Sequence, residues 1–167
     1  MLIAAMVALA LGVLGSALAA QAGADVYWVN NQAKSIGRAT IEGGEVNQSF
    51  ITGLSFPTGV AVDGEHVYWS NRPDDTIGRA KLNGEEPKQN FITTAGEPFG
   101  VAVDGEHVYW ANEETNTIGR AKLNGEEPNQ NFITGASEPF GVAVDGEHVY
   151  WTNAGTGTIG QIGRAHV

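Results

Sequence analysis

His66, His107 and His148 are the side chains of this 167-residue chain best suited to chemistry, since a neutral imidazole serves equally as general base or metal ligand. Each follows Asp-Gly-Glu, and successive copies stand 41 residues apart (107 − 66, 148 − 107). A repeat unit carries each histidine to its own place, so symmetry spreads the three apart and a turn or strand-edge role is expected. Asp63, Asp104 and Asp145 precede the turn glycines, where a short carboxylate that bonds its own backbone explains them. Glu85-Glu86 and Glu126-Glu127 sit beside Asn-Gly turns and read as solvated charge. Asp74-Asp75 and Glu113-Glu114 occupy corresponding loops and offer oxygen ligands to a cation such as calcium, but no loop alternates Asp and Asn as a dedicated calcium site does. There is no cysteine, GxSxG, P-loop or dinucleotide fingerprint. The expectation is therefore no catalytic residue, no metal site and no cofactor among these residues.

The elements that hold these residues are set by an internal repeat. Val-Tyr-Trp recurs at Val26, Val67, Val108 and Val149, always 41 residues on, and a fixed period of that size marks a propeller or solenoid. Residues 67–107 and 108–148 differ at 8 positions without a gap, so the unit is a recent duplication. Gly100–Asp104 reads as one strand, Asp104-Gly105 as a tight turn, His107–Ala111 as a second strand, Thr117–Leu123 as a third and Gln130–Thr134 as a fourth. Four short antiparallel strands per period make a propeller blade, and no segment shows the three-and-four apolar spacing of a helical solenoid. Both faces of a blade pack on neighbours, so its strands are expected to be apolar on both sides. Gly59, Gly100 and Gly141, at the head of the first strand, suit either close backbone approach near the ring axis or an ordinary bulge or turn.

Seven of the 8 differences, at 70, 72 to 75, 94 and 96, fall at the end of strand two, in the loop to strand three, or in the loop from strand four to the next blade. In an up-and-down blade these loops emerge on one side of the disc, while the other side repeats DGEH and LNGEEP. The diversified rim is either a ligand-binding surface on a rigid scaffold or the product of loop drift. Its candidate binding residues are Arg72, Asp74, Asp75, Glu97, Glu113, Glu114 and Glu138.

Tyr27-Trp-Val-Asn30, Tyr68-Trp-Ser-Asn71, Tyr109-Trp-Ala-Asn112 and Tyr150-Trp-Thr-Asn153 resemble the YWTD repeats of low-density-lipoprotein-receptor class B propellers. Asn replaces the motif's Asp in every copy, so contacts needing that charge do not carry over. The Ile-Gly-Arg elements at Ile36, Ile77 and Ile118 are similar to streptogramin-lyase-type repeats. The resemblance implies an all-β propeller, six-bladed for the first type and seven-bladed for the second. Lyase-type rings use a few residues, histidine included, that break the repeat at one place, and no such histidine stands in the repeats here.

Composition bounds the partners. The formal charge of −10 repels a phosphate backbone, which excludes nucleic acid. Residues 1–22 form an apolar, Ala-rich run ending in Ala20-Gln21-Ala22, which reads as a cleaved signal peptide, with a membrane anchor as the alternative. Either places the repeats outside the cytoplasm, secreted or at the periplasm or envelope, with no membrane span once the signal is removed. Residues 23–160 then hold about three and a half blades, a partial, open propeller expected to derive from a larger, six-bladed ring. Gln161–Val167 departs from the repeat and back-translates into a common sequencing adapter with an in-frame stop, so it is expected to be a non-native tail; a duplicated Ile-Gly-Arg-Ala is the other reading. The functional expectation is an exported binding or structural module for a protein, carbohydrate or small-molecule ligand, prone to self-association. The alternative is half of a lyase- or lactonase-type enzyme whose catalytic residues lie in missing blades.

Overall fold

The computed structural model describes residues 7–9 and 25–163. Strands β1 (Val7–Leu9), β2 (Asp25–Asn30), β3 (Ser35–Thr40) and β4 (Asn47–Ile51) form the first antiparallel sheet in chain order. The second holds β5 (Pro57–Val62), β6 (His66–Asn71), β7 (Thr76–Lys81) and β8 (Lys88–Ile92). The third holds β9 (Pro98–Val103), β10 (His107–Asn112), β11 (Thr117–Lys122) and β12 (Asn129–Thr134). The last has three strands, β13 (Pro139–Val144), β14 (His148–Asn153) and β15 (Thr158–Gly163). A 3-10 turn, Arg72–Asp74, interrupts the connection between β6 and β7. The chain is an open arc of a β-propeller.

Three details depart from the expected strands. The first blade has an inner strand outside the expected repeats, in which Val7–Leu9 pair with Val26–Trp28. That segment falls within the expected signal peptide; the rest of 1–22 lies outside the described residues, as does the end of the tail. Gln161–Gly163 continue β15 in register with Tyr150, Val149 and His148. The Asp-Gly turn has Gly105 and Glu106 at its centre, closed from both sides: Asp104 N–H donates to His107 O at 3.0 Å, Asp104 Oδ1 accepts the N–H groups of Glu106 and His107, both at 2.8 Å, and Gly105 needs no left-handed backbone. The side chain thus closes a turn that would otherwise need two residues of positive φ.

Hydrophobic packing lies between the sheets, in three layers. Tyr27, Ile36, Ile51 and Leu54 of the first blade meet Val60, Val67, Trp69 and Ala80 of the second. Ala61, Tyr68, Ile77 and Ile92 of the second meet Val101, Val108, Trp110 and Ala121 of the third. Ala102, Tyr109, Ile118 and Ile133 of the third meet Val142 and Val149 of the last. Successive strand residues point to opposite faces, so Val67 and Trp69 face the preceding blade while Tyr68 faces the following one. This is why the motif is apolar without interruption.

The inner strands β5, β9 and β13 run side by side. A Cβ on Gly59 would sit 2.5 Å from Phe99 O, and one on Gly100 2.8 Å from Phe140 O and Val142 N. Close approach of backbones therefore accounts for glycine at these two positions, which also lie at a register irregularity between the inner strand and the second.

Candidate functional site

The turns after inner strands and those after third strands share one rim: Leu82 N donates to Glu65 O at 3.0 Å and Leu123 N to Glu106 O at 3.1 Å. Between the second and third blades this rim holds a cleft of about 470 Å3 lined by Asp63, Glu65, His66, Arg79, Asp104 and Leu123. Its polar groups serve the fold. Asp63 Oδ1 accepts the Glu65 and His66 amides, its Oδ2 accepts the Tyr68 hydroxyl at 2.9 Å, and the Arg79 guanidinium donates to Leu123 O at 2.6 Å over the Phe91 ring. His66, His107 and His148 stand in successive blades, each Nδ1 between 3.7 and 3.9 Å from its own turn aspartate. Their rings lean on Tyr68, Tyr109 and Tyr150. Among the described residues no three His, Cys, Asp or Glu side chains converge on a common point.

Burial pushes the Tyr27 hydroxyl up to about 12, and the adjacent Asp25 carboxylate adds to it. Tyr68 is raised by the same two causes, burial first and Asp63 second. On the exposed last blade the Asp145 carboxyl is lowered, first by the backbone N–H groups of Glu147 and His148 and then by the Tyr150 hydroxyl.

The opposite rim carries the diversified loops. Leu54 N donates to Lys34 O and Ala95 N to Asp75 O, so the loop leaving a fourth strand is tied to the loop joining strands two and three of the blade before the next. At the junction of the second and third blades, Arg72 Nε donates to Glu97 Oε2 and its Nη2 to Glu113 Oε2, both at 3.0 Å. The guanidinium bonds hold the Glu97 carboxyl below the usual carboxylate range. Asp75 Oδ1 accepts Glu97 N–H at 2.9 Å, and Glu114 N–H bonds Gly96 O with its side chain exposed.

Of the candidates, Arg72, Asp75, Glu97, Glu113 and Glu114 thus meet at one junction. Asp74 turns toward the preceding one, where Ser55 donates to it. Glu138 belongs to the following one, where its N–H bonds Asn116 Oδ1 at 2.7 Å. Two further residues join the set without having been singled out in the sequence, Phe99 and Phe140. Their rings lie 4.1 Å apart between centroids, the Arg72 guanidinium lies 4.6 Å over Phe99, and Phe140 is 45% exposed. The signal was present: the equivalent of Phe99 and Phe140 in the preceding blade is Thr58, whose hydroxyl caps Pro98 O at 2.8 Å.

Residues 7–162 match the virginiamycin B lyase family. The chain belongs to that family. Solved virginiamycin B lyase from Staphylococcus aureus is 25% identical over 83% of this chain with a TM-score of 0.63, and a catalytically inactive variant of that enzyme has been solved with quinupristin. The nidogen/laminin complex contains a chain of the same fold, 21% identical over 96% of this chain with a TM-score of 0.63. A gluconolactonase from Xanthomonas campestris matches with a TM-score of 0.70 at 13% identity over 83% of the chain. This chain spans 47% of the staphylococcal lyase, 76% of the nidogen/laminin chain and 54% of the gluconolactonase. No curated protein matches the sequence. The propeller expected from both sets of motifs is thus the fold, and the Ile-Gly-Arg likeness names the family.

Proposed function

We propose that this member of the virginiamycin B lyase family is an exported ligand-binding arc, and that its recognition surface is the rim bearing Arg72, Glu97, Glu113, Phe99 and Phe140. One observation carries the reading. The position of Arg72 is Asn31, Glu113 and Ala154 in the other blades, and at this single junction it supplies a cation that orders two carboxylates beside a stacked, solvent-facing phenylalanine pair. Rigid aromatic surface next to fixed polar groups is the composition of a small-molecule recognition site. Export rests on the apolar segment ending in Ala20-Gln21-Ala22.

Family membership favours a second reading, lyase activity, which needs an acid or base at the bound ligand. The histidines of the described blades lie on the opposite rim, so the groups of this kind at the recognition rim are the carboxylates of Glu97, Glu113 and Glu114. Quinupristin is a suitable probe for both readings. Calorimetry is expected to show binding that weakens at least tenfold in Phe140→Ala, with the mass of quinupristin unchanged after prolonged incubation. Conversion of quinupristin establishes the lyase reading instead, and binding indifferent to Phe140 and Arg72 removes this rim from the account.

A further inference from the structure

Among the described residues two buried side-chain polar atoms have no hydrogen-bond partner, Asn31 Oδ1 and Asn71 Oδ1, and both belong to the junction of the first and second blades. The amide nitrogens fix their orientation. Asn31 Nδ2 donates to Pro57 O at 3.1 Å, and Asn71 Nδ2 reaches Thr76 Oγ1 and Gln89 Oε1, an oxygen that already takes the Trp69 indole N–H. Turning either amide over would set its oxygen against another acceptor. The two later junctions show where such an oxygen aims. Asn112 Oδ1 accepts Gly96 N–H and Asn153 Oδ1 accepts Ser137 N–H, both at 2.9 Å, while Glu114 N–H closes on Gly96 O and Gly155 N–H on Ser137 O. At the first junction the corresponding loop residue is Ser55, and Pro73 stands in the place of Glu114 and Gly155. Proline has no N–H to give to Ser55 O. Asn31 also holds the place of Arg72, so the guanidinium that supplies donors at the next junction has no counterpart here. Acceptor oxygens therefore gather about Ser55 to Pro57 in excess of donors: Asn31 Oδ1, Asn71 Oδ1, Ser55 O, and the Asp74 carboxylate to which Ser55 Oγ donates.

We propose that this junction is a calcium site, with Asn31 Oδ1, Asn71 Oδ1, Ser55 O and the Asp74 carboxylate as its protein ligands. A buried acceptor left without a partner is costly, and a single water has only two hydrogens to offer such a set. Calcium takes roughly six to eight oxygens, amide and backbone carbonyls among them, and leaves the remaining positions to water. Asp74 is exposed and Asn71 is 1% exposed, so the carboxylate stands at the mouth and the amide at the floor. One carboxylate among neutral oxygens makes a weak site, with a dissociation constant of about 10⁻⁴ to 10⁻³ M, the range of extracellular modules. Because most of its ligands are amides and main chain, no cluster of His, Cys, Asp or Glu marks it among the described residues. It lies one junction away from the recognition rim of Arg72 and Phe99.

Scanning calorimetry on the full chain at constant ionic strength is expected to show the thermal midpoint rising by a few degrees in millimolar calcium and not in magnesium, which demands a tighter octahedral cage. By NMR the side-chain amide signals of Asn31 and Asn71 move with calcium, while those of Asn112 and Asn153, whose oxygens are already bonded, stay in place. Asp74→Asn, on an exposed side chain that leaves the blades folded by circular dichroism, is expected to weaken calcium binding on the order of tenfold in calorimetric titration. Glu138→Gln, an acidic change at the last junction, leaves that binding unchanged. Pro73→Glu, which returns to Ser55 O the N–H that Glu114 gives Gly96 O, is expected to weaken it as well. No response to calcium, an equal response to magnesium, amide signals of Asn31 and Asn71 that do not move, or calcium binding that Asp74→Asn leaves intact overturns the proposal.

Discussion

The indole of Trp69 lies flat on Gly78, its partner on the neighbouring strand, and fills the space a Cβ would need. The same pair recurs nine residues apart in every blade, as Trp28 with Gly37, Trp110 with Gly119 and Trp151 with Gly160. In the three four-stranded blades the indole N–H donates to a glutamine of the fourth strand, Gln48, Gln89 or Gln130; in the last sheet, which has three strands, it turns to Asn153. Gly78→Ala is therefore expected to displace a fully buried ring and cost about 1–3 kcal/mol, the usual range for overpacking. Gly64→Ala, with open space around its Cβ and no left-handed backbone, is expected to leave the urea midpoint unchanged.

Alkaline stability follows from the buried tyrosines. Tyr27 ionises near 10 when unfolded and at about 12 in the fold, so between those values the unfolded chain has released a proton that the folded chain still holds. Its contribution is complete below pH 10 and declines as pH rises toward 12. Tyr27→Phe is expected to flatten this decline, measured as the thermal midpoint across that window; an unchanged slope would show that other groups control it.

The blade was legible in the sequence because its information is local and repeated. Val-Tyr-Trp, Ile-Gly-Arg and the Asp-Gly and Asn-Gly turns each impose a strand, a close approach or a reversal within a few residues, and a period of 41 multiplies the signal. The functional rim was only half legible. Comparing two copies pointed to Arg72 and Glu113 directly and to Glu97 as the neighbour of the differing position 96, but the meeting of Arg72 with Glu97 and Glu113 depends on how adjacent blades stack, which the linear repeat does not state. Phe99 and Phe140 escaped because both middle copies carry phenylalanine; only comparison with Thr58 reveals the change. The inner strand at Val7–Leu9 was hidden for another reason, since an apolar run serves as strand or targeting segment with the same residues.

The asparagine that replaces aspartate in each YWTD-like motif has a use for its amide. Asn112 Nδ2 donates to Thr117 Oγ1 at 3.0 Å and Gln130 O at 3.1 Å, while its Oδ1 accepts Gly96 N–H at 2.9 Å. A carboxylate would lose both donations. Asn71 is equally buried, but its Oδ1 has no hydrogen-bond partner. Asn112→Ala strands a loop amide that Asn71→Ala does not, so it is expected to cost about 1–3 kcal/mol more in chemical denaturation. Equal costs would mean that the Gly96 amide finds another acceptor.

Arg72 is held between two half-exposed carboxylates, with side-chain exposures of 36% for the arginine, 42% for Glu97 and 31% for Glu113. Solvent screens such a pair, so Arg72→Ala is expected to lower stability by no more than about 1 kcal/mol. Its larger effect is on protonation. Glu97 titrates below its ordinary value because Arg72 bonds its ionised form, so that stabilisation is complete above the unfolded carboxylate pKa and fades as pH falls through the folded one. Carboxyl carbon titration by NMR is expected to show Glu97 moving up in Arg72→Ala. Arg72→Lys should restore only part of the depression, since one ammonium cannot reproduce the planar fork that reaches Glu97 and Glu113 together. If Glu97 titrates identically in all three proteins, the guanidinium does not order this rim in solution, and the recognition surface built on it loses its centre.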